Sequence, residues 1–125
     1  MTYTLVKHFW ISCAHHVPES GKCAQLHGHN YKVIFCVAGR QLDELDMLID
    51  FREVKHAVEK KFDHRLLNDF AEFNPEEGGH LPTTERVAEL FFRTIQSLCE
   101  RKINKPMLKW VEIHETNEAY VRYEL

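Results

Sequence analysis

The sequence lacks several features that would place it in a common class of protein. Its four cysteines show no CxxC spacing, which argues against a thiolate zinc site and against a thioredoxin-like redox motif. No stretch approaches the ~20 apolar residues of a membrane span. The first eight residues do not have the basic and apolar segments of a secretory signal. We therefore expect a cytoplasmic protein with reduced thiols that does not associate with a membrane.

Positive charge is not in excess either. The chain has 16 Lys and Arg against 19 Asp and Glu, a formal net charge of −3. Nucleic-acid-binding proteins usually present a basic face, so we expect no nucleic-acid partner. No repeat, low-complexity tract or linker divides the 125 residues, of which 44% are hydrophobic. We expect one domain over residues 1–125 with a substantial core.

Hydrophobic patterning predicts two strands, two helices and two further strands. Asp50 and Glu53 have the spacing of a capping box at the start of the first helix. The predicted elements are strands over 3–13 and 27–38, a helix from 50 to about 62, a loop over 69–82, a helix from Thr83 or Thr84 to a break at 104–106, and strands over 107–114 and 120–124.

This ββααββ order favours an α+β fold with an antiparallel four-stranded sheet and both helices on one face. Four strands leave two open edges. Natural sheets often protect such edges by pairing them with another chain. We therefore expect the sheets of several subunits to close into an oligomeric barrel.

The most informative stretch is Cys23-Ala24-Gln25-Leu26-His27-Gly28-His29, which leads into the second strand. Side chains alternate along a strand, so His27 and His29 face the same way, with Cα atoms ~6.5 Å apart. Neutral imidazoles suit zinc, and a catalytic zinc has three protein ligands and one open position. His15 or His16 is the candidate third ligand. The alternative is that the histidines are exposed strand residues that bind nothing.

Cys23 lies four residues before His27. A nearby cation favours the thiolate form of a cysteine. A thiolate beside a zinc ion, but not bound to it, can act as a base on a metal-bound substrate. Two alternatives stay open: Cys23 is the fourth ligand of a closed structural site, or it is an inert small residue.

Two carboxylates form further candidates. Asp63 precedes His64 after the first helix, where it can orient the imidazole; a solvated helix end is the alternative. Glu115 shares the parity of Val111 and Ile113 on the third long strand, which points it toward the helix-covered face. A carboxylate there needs a partner, unless the strand end is exposed.

Six motifs together resemble the 6-pyruvoyl-tetrahydropterin synthase superfamily, and most closely its short bacterial 6-carboxy-tetrahydropterin synthase branch. The resemblance covers nearly the whole chain. The motifs are Ala14-His15, Cys23-x-x-x-His27-Gly28-His29, Asp50-Phe51-x-x-x-Lys55, Asp63-His64-x-x-Leu67-Asn68, Pro82-Thr83-Thr84-Glu85 and Glu115-Thr116.

The resemblance implies a tunnelling fold, in which trimeric barrels stack into a homo-hexamer with active sites between subunits. It also implies residue roles. Zn²⁺ would be bound by His15, His27 and His29. Cys23 would be the proton-abstracting base, with Asp63 and His64 as a proton relay. Glu115 would anchor the pterin ring, supported by Thr83, Thr84 and Thr116.

Two departures from the superfamily pattern touch no proposed ligand. Arg86 stands where the superfamily often has Asn, and Ser12-Cys13 replaces the usual small residues before Ala-His. Arg86 leaves the detail of the substrate pocket open.

The implied function is a zinc-dependent lyase of queuosine (7-deazaguanine) biosynthesis. Its reaction would convert 7,8-dihydroneopterin triphosphate to 6-carboxy-5,6,7,8-tetrahydropterin, acetaldehyde and triphosphate. One alternative is the sister 6-pyruvoyl-tetrahydropterin synthase activity of the biopterin branch. Another, of a different class, is a non-catalytic zinc-stabilised binding module.

Overall fold

The structure is a computed structural model that describes residues 1–18 and 21–125, apart from the side chains of Lys22 and Cys23. Within the described residues, five strands, two α-helices and four short 3₁₀ helices make up the regular structure, and the predicted α+β class is confirmed. The elements are β1 (Tyr3–His15), β2 (His27–Gly39), α1 (Phe51–Phe62), β3 (Arg65–Leu66), α2 (Thr84–Glu100), β4 (Met107–His114) and β5 (Tyr120–Glu124).

The strands form one sheet in the order β3-β1-β2-β4-β5. The four long strands pair antiparallel, as predicted, and β1 pairs with β2 from Tyr3↔Gly39 to His15↔His27. The fifth strand, β3, was not predicted. It has only two residues and runs parallel to β1 beside Cys13 and Ala14. Two residues carry no periodicity, so only the tertiary contact reveals this strand.

The hydrophobic core lies between one sheet face and the two helices. Alternate residues of β1, β2 and β4 are buried there, because successive side chains of a strand point to opposite faces. The helices contribute stripes at helical spacing. The buried core side chains include Phe9, Ile11, Tyr31, Val33, Phe35, Val54, Val58, Phe62, Val87, Phe91, Ile95, Val111 and Ile113.

Side-chain hydrogen bonds fix the helix starts. The Asp50 carboxylate accepts from the backbone N–H of Arg52 at 2.9 Å and caps α1. The second contact of the predicted capping box, from the Glu53 side chain back to the Asp50 N–H, is wrong. The Glu53 side chain instead forms an ion pair with Lys102, two residues after the end of α2. Thr83 caps α2, its hydroxyl accepting from the Arg86 N–H at 3.3 Å.

The sheet face opposite the helices carries several exposed large side chains. Val6, Trp10, Met107 and Tyr120 are each more than half exposed, and the sheet register places all four on this face. Across the described ranges, neither helix has the length and apolar composition needed to traverse a bilayer.

Candidate active site

Three imidazoles converge where β1 ends and β2 begins. His15 is the last residue of β1, and it pairs directly with His27, the first residue of β2. His29 follows two residues later on the same face. The ring centroids lie 4.5 Å apart for His15 and His27, 4.7 Å for His27 and His29, and 5.0 Å for His15 and His29. The expected convergence is present, and the structure brings in His15 rather than His16.

Backbone carbonyls set the orientation of two of these rings. The Nδ1 atom of His15 lies 2.7 Å from the Pro82 carbonyl oxygen, and that of His27 lies 2.7 Å from the Gln25 carbonyl oxygen. A carbonyl only accepts, so both Nδ1 atoms donate a proton. In the neutral tautomer each Nε2 then carries a free lone pair.

These two Nε2 atoms face each other at 3.0 Å. Two lone pairs at this distance repel unless a proton or a metal ion lies between them. Metal-binding histidines usually donate their other ring N–H to a carbonyl or carboxylate, as both do here. This geometry fits a pair of metal ligands.

His29 points its Nε2 toward Glu115, the residue after β4. The Glu115 Oε1 atom is 2.8 Å from this nitrogen. Despite that distance, His29 Nε2 has no hydrogen-bond partner of acceptable geometry within the described part of the chain, although it is fully buried. A proton on the nitrogen would miss the oxygen. The buried nitrogen and the carboxylate oxygen are therefore close together without a hydrogen bond between them.

The four groups together can hold a metal ion. One ligand atom from each of His15, His27, His29 and Glu115 lies within 4.8 Å of the other three. Ligand atoms bound to one tetrahedral zinc at about 2.0–2.1 Å would lie roughly 3.4 Å apart. The observed separations are close enough for small side-chain adjustments to bring them onto one ion. The orphaned nitrogen of His29 and the facing nitrogens of the other pair fit such an ion.

Burial favours the neutral form of two of the imidazoles. His15 is only 2% exposed, and desolvation lowers its pKa below the ordinary value. Desolvation also lowers the pKa of His29, against the opposing charge of Glu115. Only a neutral imidazole offers a lone pair to a metal, so burial prepares these rings for coordination.

Asp63 and His64 form a second polar group on the outer edge of β1. The Asp63 carboxylate accepts from the Ser12 N–H at 2.9 Å and lies 3.0 Å from Nδ1 of His64. Burial raises the pKa of Asp63, but the hydrogen bonds from the Ser12 N–H and the His64 ring outweigh it and hold this pKa below its usual value. Ser12 lies three residues before His15, or ~10 Å along the strand. His64 is not among the four clustered ligand groups, but it lines the same cleft beside β1 as His29.

The remaining predicted site residues divide into three groups. The side chain of Cys23 lies outside the described residues. Thr84 donates its hydroxyl to Oε2 of Glu115 at 2.7 Å and so touches the cluster. The hydroxyls of Thr83 and Thr116 accept instead from backbone N–H groups, of Arg86 and Glu118 respectively.

Asn68 has a role that the sequence did not reveal. Its side chain accepts from the His16 N–H at 2.9 Å and donates to the His16 carbonyl at 3.0 Å. It therefore clamps the backbone directly after His15. Asn68 stands in the quoted Asp63–Asn68 motif, but a motif does not show which backbone atoms a side chain contacts. Nor does sequence reveal that Glu115 approaches His29.

Comparison with known proteins identifies the family. A family described as 6-pyruvoyl tetrahydropterin synthase matches residues 4–125. The chain belongs to this family.

Named relatives agree with that membership. The chain is 37% identical over 124 residues to the 6-carboxy-5,6,7,8-tetrahydropterin synthase of Bacillus subtilis, across 98% of this chain and 85% of that protein. It is 31% identical over 130 residues to the protein of that name from Synechocystis, across 97% of this chain and 92% of the relative. The 6-pyruvoyl tetrahydropterin synthase structure of Caenorhabditis elegans superposes with a TM-score of 0.78 at 25% identity, covering 100% of this chain and 96% of that one.

These findings confirm the tunnelling fold of a single subunit. They also show that the protein is an enzyme of the tetrahydropterin synthase type, with the lyase role of its family.

Proposed function

We propose that this protein is a zinc-dependent lyase that converts 7,8-dihydroneopterin triphosphate to 6-carboxy-5,6,7,8-tetrahydropterin, acetaldehyde and triphosphate. The observation that carries the proposal is the convergence of His15, His27, His29 and Glu115 in a member of this family. The proposed place of the reaction is queuosine biosynthesis in the cytoplasm.

The proposed metal ligands are His15, His27 and His29. These residues would hold a zinc ion, which would supply Lewis acidity to the side-chain oxygens of the substrate and so acidify the neighbouring C–H bond. The carbonyls of Pro82 and Gln25 hold two of the rings with Nε2 directed inward. This preorganisation lowers the cost of bringing the ligands together.

Glu115 is proposed to orient the pterin ring. Its carboxylate can accept the ring N–H groups, and the Thr84 hydroxyl holds it in place. A carboxylate fixed in this way selects a heterocycle that presents two neighbouring N–H donors.

Proton movement is assigned to Cys23 and to the Asp63–His64 pair. Cys23 is the proposed base that removes a side-chain proton, on the strength of its place four residues before His27 in the motif. Asp63 accepts from the Ser12 N–H and lies against Nδ1 of His64, which leaves the other ring nitrogen available for a proton. His64 is the proposed group that returns a proton elsewhere on the substrate.

A homo-hexamer of two stacked trimers, with sites between subunits, completes the proposal. The His64 side chain is 79% exposed and is not one of the four clustered ligand groups of its own chain, so it can serve the site of a neighbour. The exposed face with Val6, Trp10, Met107 and Tyr120 is apolar surface that further copies would cover. Separate contacts, between the open strand edges of neighbouring subunits, would close the barrel.

The test is incubation of the zinc-loaded protein with 7,8-dihydroneopterin triphosphate. Mass spectrometry should find 6-carboxy-5,6,7,8-tetrahydropterin, and an aldehyde assay should find one acetaldehyde per turnover. A retained 6-pyruvoyl product without acetaldehyde would support the sister activity, which the family description and the C. elegans structure keep as the second candidate.

Cys23→Ala separates the enzyme from a non-catalytic zinc module. The enzyme predicts unchanged zinc content with lost turnover. Loss of zinc together with unfolding would make Cys23 a structural ligand and would contradict the proposed role.

A further inference from the structure

We propose that Arg65 binds the triphosphate group of the substrate, in the cleft beside β1 that it shares with His64. This inference rests on the proposed function and extends it, because the metal ligands and the proton relay leave the triphosphate without a partner. It assigns the anionic end of the substrate to one guanidinium.

The lining of this cleft, which has a volume of about 390 Å³, favours an anion. Arg65, His64 and Asn30 each bring nitrogen atoms to it, and His29 of the metal-ligand cluster lines it as well. The other lining residues are uncharged. As far as the described residues show, the lining therefore contains no carboxylate that would repel a phosphate.

Backbone contacts fix the place of Arg65 at the cleft. Arg65 belongs to β3 and pairs with Cys13 of β1. Directly before it, the His64 N–H donates to the Ser12 carbonyl at 2.6 Å, and His64 adopts a left-handed φ of 58°, which is uncommon for a residue other than glycine. The turn from α1 into β3 thus brings two successive side chains to one cleft. Arg65 accompanies His64 whether the relay serves its own chain or a neighbouring subunit.

The Arg65 side chain is available for a ligand. Its guanidinium makes no hydrogen bond or ion pair within the described residues, whereas four other arginines contact carboxylates: Arg52, Arg86, Arg93 and Arg122. Arg101 contacts the Ser97 hydroxyl, and Arg40 follows the end of β2 that is remote from the histidines. In the described part of the chain, Arg65 is therefore the arginine near the candidate site whose five N–H donors are free to bind an anion.

A guanidinium has the geometry that phosphate recognition needs. Its planar fork donates two parallel N–H bonds to phosphate oxygens, and the opposite charges strengthen both bonds. Asn30 offers a second donor group: its Oδ1 accepts from the Ser12 hydroxyl at 2.6 Å, which leaves its NH₂ group without a partner in the described residues. A triphosphate held by Arg65 places the attached carbon side chain next to His64, the proposed proton donor.

The experiment measures the binding of inorganic tripolyphosphate to the zinc-loaded, full-length protein by isothermal titration calorimetry. Mg²⁺ is present in excess so that the probe does not strip the zinc, and the zinc content is measured again after each titration. Arg65→Ala should weaken binding about tenfold or more, because it removes charge-assisted hydrogen bonds. Arg65→Lys should recover part of this loss, since it keeps the charge without the fork.

Arg40→Ala is the matched control. It also removes one exposed arginine that has no ion pair within the described residues, but it does so at the far end of β2, and it should bind tripolyphosphate like wild type. Arg65 is exposed as well, so neither alanine variant should disturb the core.

Two ligands separate a role in triphosphate binding from a general effect on the site. Arg65→Ala should raise the KM for 7,8-dihydroneopterin triphosphate about tenfold or more, whereas its Kd for 7,8-dihydroneopterin, which has no phosphate, should equal that of wild type. The assignment is overturned if Arg65→Ala binds tripolyphosphate like wild type, if Arg40→Ala loses as much affinity, or if the affinity for dihydroneopterin falls equally. The calorimetry does not depend on turnover, so absence of the lyase reaction would refute the proposed function separately.

Discussion

Replacing Asn68 with alanine should weaken metal binding without removing any proposed ligand. The Asn68 side chain makes two hydrogen bonds to the backbone of His16, at 2.9 and 3.0 Å, and so holds the chain directly after His15. Without them the half-buried N–H and C=O of His16 lose their partners, and the end of β1 gains freedom. Metal binding must then also order the backbone at His15, and this entropy cost lowers the metal affinity.

The magnitude follows from those two bonds. Each contributes ~0.5–1.5 kcal/mol to folding, so Asn68→Ala should lower the free energy of unfolding of the metal-free protein by ~1–3 kcal/mol. Residues that support metal ligands are typically worth 10–100-fold in metal affinity. We expect a loss in this range, measured by competition with a chromophoric chelator, with urea unfolding as the stability assay.

Asn104→Ala is the matched control. Its side-chain amide also makes two hydrogen bonds to the backbone, to the Gln41 and Leu48 carbonyls at 3.0 and 2.9 Å, but it precedes β4 while the site lies beyond the other end of that strand. It should cost similar stability and leave metal affinity unchanged. Equal losses of metal affinity in the two variants, or none in Asn68→Ala, would refute the clamp.

Three further predictions concern the ligands, a buried carboxylate and the buried thiols. His27→Ala should release the metal and abolish activity; metal stoichiometry equal to wild type would contradict the ligand assignment. Burial raises the pKa of Glu112, but hydrogen bonds from His114 and Arg122 outweigh it and hold this pKa below 4.5. These hydrogen bonds therefore stabilise the fold above that pH, and their contribution is lost as the pH falls through the folded-state pKa of Glu112. Glu112→Gln should therefore cost about 2 kcal/mol in urea unfolding at neutral pH and progressively less in acid, and a pH-independent difference would count against this. Burial raises the pKa of Cys13 to about 12 and of Cys99 to about 11, so iodoacetamide should spare both in the native protein, as peptide mapping would show; rapid labelling of either would be inconsistent with the packing.

The sequence was sufficient to predict the side of the sheet on which the site lies. Strand alternation places His27 and His29 on one face, and the odd-numbered pattern of β1 continues through Cys13 to His15. The same parity argument directs Glu115 toward the helices, where it is found. These are local properties of strands, so the chain reveals them without tertiary information.

Contacts between residues far apart in the sequence could not be predicted from local patterns. His15 meets the Pro82 carbonyl 67 residues away, and every residue has a carbonyl, so no residue type marks this partner. The strand β3 and the approach of Glu115 to His29 likewise depend on how helices pack on the sheet. Glu53 is an example of the opposite kind, because the local sequence predicted a capping contact for it. Its side chain instead forms a tertiary ion pair with Lys102.

X-ray absorption spectroscopy of the zinc-loaded protein tests the central claim most directly. The account predicts three imidazole nitrogens and one oxygen at about 2.0–2.1 Å and no sulfur in the coordination shell. A sulfur scatterer at about 2.3 Å would make Cys23 a ligand rather than a base and would contradict the account.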